Sequence, residues 1–68
     1  MKSRVIYPDV IAAIKEHKLT KPKVAKKLNI TLDSFKSKLY GYHEFTLEEI
    51  VELMNLFNKT YDELFLEN

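Results

Sequence analysis

The chain has 68 residues, no cysteine, one glycine and two prolines, and its formal net charge at pH 7 is +1. A chain of this length forms one domain, 1–68, whose core supplies only a few kcal/mol of net stability. Without cysteine it has no disulfide and no cysteine-ligated zinc, and no apolar run approaches the roughly 20 residues needed to cross a bilayer. We therefore expect a single cytoplasmic domain with no cofactor, metal or membrane segment.

Charge is distributed unevenly along the chain. Residues 1–43 hold ten of the eleven Lys and Arg residues and three acids, a net +7, whereas residues 44–68 have a net charge of −6. Such a split suggests a basic face for an anionic partner and an acidic remainder. An ordinary solvated surface would produce similar local runs, so charge alone leaves both alternatives open.

A flexible arm, 1–6, is expected to precede the first helix. Pro8 suits a first helical turn, and Asp9 suits its positive end. Apolar residues at helical spacing follow until the pattern fades near His17: Val10, Ile11 and Ile14.

Two short helices are predicted next, joined by a tight turn. Thr20 is an N-cap with Pro22 in the first turn, and Asn29 is a left-handed residue that closes the helix. Thr31 then caps a third helix, which Gly41 ends. The expected core residues of this region are Val24, Ala25, Leu28, Ile30, Phe35 and Leu39.

Two capping boxes start the last two helices. Thr46 and Glu49 begin a fourth helix that Asn58 ends, and Thr60 and Glu63 open a short fifth helix. The residues of the fourth helix predicted to face inward are Ile50, Leu53, Met54 and Phe57, and the fifth helix carries Leu64 and Phe65. The sequence therefore predicts an all-α fold of five short helices.

The order of these elements resembles the lambda repressor-like, Cro/CI-type helix-turn-helix family. The segment Leu19–Ile30 is similar to the first half of the family's motif, with an "LT" step before "VA..L". The stretches Phe35–Gly41 and Glu44–Ile50 look like the variant of this motif that is common in phages of Gram-positive bacteria. The segment Leu56–Phe65 resembles that family's last helix. The resemblance implies a helix-turn-helix at the second and third helices.

This resemblance also implies which residues meet DNA. The third helix would enter the major groove, with base-facing residues Leu32, Asp33, Ser34 and Ser37. Lys21 matches a backbone-clamping position, and Tyr40 and His43 match phosphate-contacting ones. Further candidates for the DNA backbone are Thr20, Lys23, Lys36 and Lys38. Asp33 has an alternative structural role, since a carboxylate stabilises a helix's first turn.

Some positions depart from the family pattern. Lys21 replaces the usual Gln, and Tyr40–Tyr42 replaces the usual Asn-Gly-Lys. The third helix also lacks Arg, Asn and Gln, the residues that pair with bases through two hydrogen bonds.

Three classes of function follow. The first is a DNA-binding transcriptional regulator, a phage repressor or genetic-switch protein in the bacterial host's cytoplasm. The alternative is a modulator that binds another phage repressor, because the base-reading surface is thin and the second half is acidic. An enzyme is not expected, since no nucleophile–base pair, working pair of carboxylates or metal cluster stands out.

Self-association would have to use the fourth and fifth helices. The candidate interface residues are Leu56, Tyr61, Phe65 and Leu66. The alternative is that these side chains only close the monomer's core, which so short a chain needs. Seven acids in this half would repel one another across a two-fold axis, so we expect a weak homodimer or a monomer.

Overall fold

A computed structural model describes residues 7–65, which form five α-helices and, within that range, no strand. The helices are α1 (Pro8–Glu16), α2 (Lys21–Lys27), α3 (Leu32–Leu39), α4 (Leu47–Phe57) and α5 (Tyr61–Phe65). The predicted all-α fold class is confirmed. The predicted N-terminal arm, 1–6, and Leu66 lie outside the described residues. Within the described range, every helix is too short or too polar to cross a membrane.

A threonine begins each helix after the first. Its hydroxyl accepts a hydrogen bond from the backbone N–H three residues later, at 3.1–3.4 Å, and the four caps are Thr20, Thr31, Thr46 and Thr60. In turn, the carboxylates of Glu49 and Glu63 accept hydrogen bonds from the backbone N–H groups of Thr46 and Thr60, at 2.9 and 2.8 Å. Both predicted capping boxes are confirmed, and each satisfies N–H groups that the helix leaves free.

A left-handed residue follows each of the first four helices. These residues are Lys18 (φ 56°), Asn29 (63°), Gly41 (89°) and Asn58 (55°). In every case the backbone N–H of the residue after the left-handed one donates to the carbonyl five residues before it, at 2.8–3.1 Å. This hydrogen bond closes the helix end. The predictions for Asn29, Gly41 and Asn58 are confirmed. The sequence does not predict Lys18, because lysine has no special preference for this conformation.

The core forms where α1 packs on α5, α2 packs on α3 and α4 packs on α5. Its buried residues are Val10, Ala13, Ile14, Val24, Ala25, Leu28, Phe35, Leu39, Phe45, Leu53, Phe57, Leu64 and Phe65. The predicted core of α2, α3 and the turn between them is therefore confirmed, except that Ile30 is only half-buried. In α4, Ile50 and Met54 are predicted to face inward and are also only half-buried.

An aromatic cluster ties the α3–α4 connection to this core. The Phe45 ring centroid lies 5.7 Å from that of Tyr7, 6.1 Å from Phe35 and 5.7 Å from Phe65. Phe45 belongs to no helix, so helical periodicity does not predict its burial. Edge-to-face ring pairs of this kind stabilise beyond the area that they bury.

Phe65 is used differently from its prediction as an interface residue. It is 5% exposed and packs edge-on against Tyr7, with ring centroids 5.1 Å apart. It therefore serves the core and has little surface for a partner. Leu56 is half-buried, and Tyr61, stacked on Phe65, remains exposed.

Candidate nucleic-acid interface

The solvent-facing side of α3 carries the predicted base-facing residues. At 100° per residue, Ser37 lies opposite the buried Phe35 and Leu39. Asp33 is exposed, and Ser34 is half-buried beside it. This side of α3 thus presents hydroxyl groups and one carboxylate.

Leu32 lies at the edge of that side. It is half-buried and lines a shallow hollow together with Pro22, Ile30 and Thr31. Leu32 therefore lies at the junction of α2 and α3 and remains partly accessible to solvent. Asp33 also occupies the first turn of its helix, where its negative charge interacts favourably with the positive end of the helix dipole.

Lys21 and Tyr40 meet at one flank of α3. The Lys21 Nζ donates a hydrogen bond to the Tyr40 Oη at 3.1 Å and lies 5.6 Å from the centre of its ring. This contact joins the first residue of α2 to the residue after α3. It holds an ammonium group beside the end of α3 with two further N–H donors available.

Lys23 lies on a different face of α2 from Lys21. It is exposed and lines a hollow with Lys26, Lys27 and Leu19, which Glu52 of α4 also reaches. Sequence reasoning named Lys23 but not Lys26 or Lys27. Their spacing, three and four residues after Lys23, was the available signal for one basic helix face.

Lys38 does not extend into solvent. Its Nζ lies 2.7 Å from both carboxylate oxygens of Glu49, and the two side chains are only 13% and 11% exposed. Since Glu49 also completes the capping box with Thr46, the pair ties α3 to the start of α4. The Lys38 ammonium, which the sequence predicts to contact phosphate, is instead bound by Glu49 within the fold.

The environment of Glu49 favours its ionised form. Burial raises the pKa of this carboxyl, but hydrogen bonds from Lys38 and Thr46 outweigh burial and hold the pKa below its usual value of 4.5. The ion pair is therefore complete at neutral pH.

The remaining predicted backbone contacts lie around these elements. Thr20 and Lys36 are exposed, and so is His43. The His43 N–H donates to the Ser37 carbonyl at 3.3 Å, which anchors the segment after α3 to the helix. Substituting the Ser37 side chain leaves this backbone hydrogen bond available.

Residues 7–65 contain no cluster of three or more His, Asp or Glu side chains able to hold a metal ion. No protein-family model, curated protein or solved structure matches the chain. The arrangement of α2 and α3 must therefore be interpreted from its own chemistry. It offers hydrogen-bonding side chains on one helix side, with lysines on the flanks.

Proposed function

We propose that this protein is a DNA-binding transcriptional regulator in which α2, the 28–31 turn and α3 act as a helix-turn-helix. The observation that carries the proposal is the placement of the Lys21 ammonium by Tyr40, beside the polar side of α3. Phosphate contacts of this kind fix a helix in the major groove, while side chains on the helix meet base edges.

The proposed contacts divide by chemistry. Ser34 and Ser37 would bond to base edges, and Asp33 would accept from cytosine N4. Leu32 would touch a thymine methyl at the edge of the contact. The proposed phosphate contacts are Thr20, Lys21, Lys23, Lys36, Tyr40 and His43. Lys38 is left out because Glu49 occupies its ammonium.

From the resemblance to Cro/CI-type proteins, we further propose that the protein acts as a repressor in a phage genetic switch, in the cytoplasm of a bacterial host. A short helix reads few bases, so such a protein would need two copies on paired half-sites. Because Phe65 is buried in the core and offers little surface to a second copy, the two copies would associate only weakly, on DNA.

A second candidate function is a modulator that binds another repressor. The observation in its favour is that α3 presents no Arg, Asn or Gln, so direct base readout is weak. In that case the lysines of α2 would hold DNA only loosely.

Fluorescence anisotropy with a labelled 20-base-pair duplex of random sequence tests the proposal. Binding should be measurable at 50 mM salt and should weaken by at least tenfold at 200 mM, because several condensed counterions are released, with a slope of roughly −0.9 per phosphate contacted. No binding at 50 mM salt would favour the modulator instead.

A further inference from the structure

α4 carries more apolar surface than the core uses. Leu53 and Phe57 are fully buried, but Leu47 is 75% exposed and Val51 is 45% exposed. Ile50 and Met54 are half-buried. Leu47, Ile50, Val51 and Met54 have the i, i+3, i+4, i+7 spacing of one helix side, and we call them the α4 apolar stripe.

The start of α5 extends this stripe. Tyr61 is 50% exposed, and it lines a hollow together with Ile50 and Glu44. An exposed aromatic ring beside an aliphatic stripe is typical of a protein-binding surface, where such rings act as anchors.

The rim of the stripe is acidic. Glu44, Glu48 and Asp62 are exposed, and the ion pairs within residues 7–65 are Lys38–Glu49 and Lys59–Glu16, the latter at 3.6 Å. Lys59 is the only Lys or Arg in the chain after residue 43. Within residues 7–65, Glu44, Glu48 and Asp62 therefore take part in neither ion pair.

Charge decides between two kinds of occupant. A second copy packed stripe to stripe would bring two acidic rims together, which costs free energy. A helix with an apolar stripe between rows of Lys or Arg would fill the apolar surface and pair with the rim.

We propose that the α4 apolar stripe, with Tyr61 and its acidic rim, is a docking site for a basic amphipathic helix of another protein. It deepens the second candidate function by giving the partner-binding surface and the partner's chemistry. It does not depend on DNA binding, because it uses α4 and α5 and leaves the polar side of α3 free.

Two 18-residue helical peptides provide the probe. Both carry Leu at i, i+3, i+4 and i+7 spacing, and one is flanked by Lys while the other is flanked by Glu. Isothermal titration calorimetry should give affinity at least tenfold higher for the Lys-flanked peptide, and raising salt from 50 to 500 mM should reduce that preference because screening weakens charge attraction. Equal affinities would overturn the charge argument.

Substitutions locate the site. The double substitution Leu47→Ser with Val51→Ser removes exposed methyl groups. It should lower the affinity for the Lys-flanked peptide by about tenfold or more, since a few apolar anchors dominate such interfaces. Ala12→Ser, the same kind of change on the exposed side of α1, should leave affinity within twofold. Circular dichroism checks that both variants remain folded. Full affinity in the folded double variant, or a homodimer that the double variant abolishes and salt strengthens, would overturn the proposal.

Discussion

The Lys21 Nζ and the Tyr40 Oη lie 3.1 Å apart, which links the first residue of α2 to the residue that follows α3. The phenol oxygen accepts one hydrogen bond from the ammonium, which keeps two further N–H donors for other acceptors. The pair holds both helices and one positive charge in a fixed relation.

Removing the two named lysines of α2 should weaken DNA binding without changing its sequence preference. Lys21→Ala with Lys23→Ala should lower affinity for all duplexes and reduce the slope of log affinity against log salt by up to about one unit for each phosphate that is no longer bound. Lys15→Ala, an exposed change on α1, serves as the control and should leave the slope unchanged. An unaltered slope in the double variant would mean that neither lysine meets phosphate.

The Lys38–Glu49 pair should make stability depend on pH. Because the pKa of Glu49 is lower in the fold than its usual 4.5, the pair's full contribution is present above about pH 4.5 and is lost as pH falls through the folded value. Glu49→Gln should therefore cost about 1–3 kcal/mol at pH 7, since it leaves a half-buried ammonium without its counter-charge.

Urea denaturation from pH 7 to pH 3 measures this effect. The difference between the wild type and Glu49→Gln should shrink as the pH falls. Glu48→Gln, at the exposed neighbouring position, should cost less than about 0.5 kcal/mol throughout. A constant difference across the whole range would show that the charge of Glu49 does not contribute.

Phe45 should be as important to stability as any helical core residue. Phe45→Ala should cost about 3 kcal/mol or more because it empties the centre of the aromatic cluster. Phe45→Leu keeps much of the volume and should cost about half as much. Equilibrium unfolding in urea gives both values, and equal stability of all three proteins would contradict the role assigned to this ring.

Lys18 is a position where glycine should improve the fold. Its left-handed conformation disfavours a residue with a Cβ, so Lys18→Gly should stabilise by roughly 0.5 kcal/mol after allowing for the freer unfolded chain. Lys15→Gly, inside α1, should instead destabilise by about 1 kcal/mol. Thermal melting of both variants compares the two effects, and destabilisation by both would count against backbone strain at Lys18.

Local chemistry explains what could be predicted from the sequence. Thr46 with Glu49, and Asn58 after α4, form hydrogen bonds within a few residues, so spacing alone places them. Phe45 and the Lys38–Glu49 pair depend on how an irregular segment and two helices meet in space. Contacts between residues of different elements leave no periodic pattern in the sequence, so these could not be predicted.

The candidate site divides in the same way. The polar side of α3 follows from helical spacing, because Ser37 lies opposite Phe35 and Leu39. Spacing also separates Lys21 from Lys23 across α2, although the prediction grouped both lysines together as backbone contacts. The partner of Lys21 depends on the angle between α2 and α3, and only the fold supplies that angle.

Selection of bound sequences from a randomised duplex pool tests most directly whether α3 reads DNA. Ser37→Asn adds a side chain that pairs with adenine through two hydrogen bonds, without changing charge. The variant should enrich adenine at one position that the wild type leaves weakly specified, while Ala12→Asn on α1 should reproduce the wild-type profile. Identical profiles for the wild type and Ser37→Asn, from proteins that both bind the pool, would contradict the placement of α3 in the major groove.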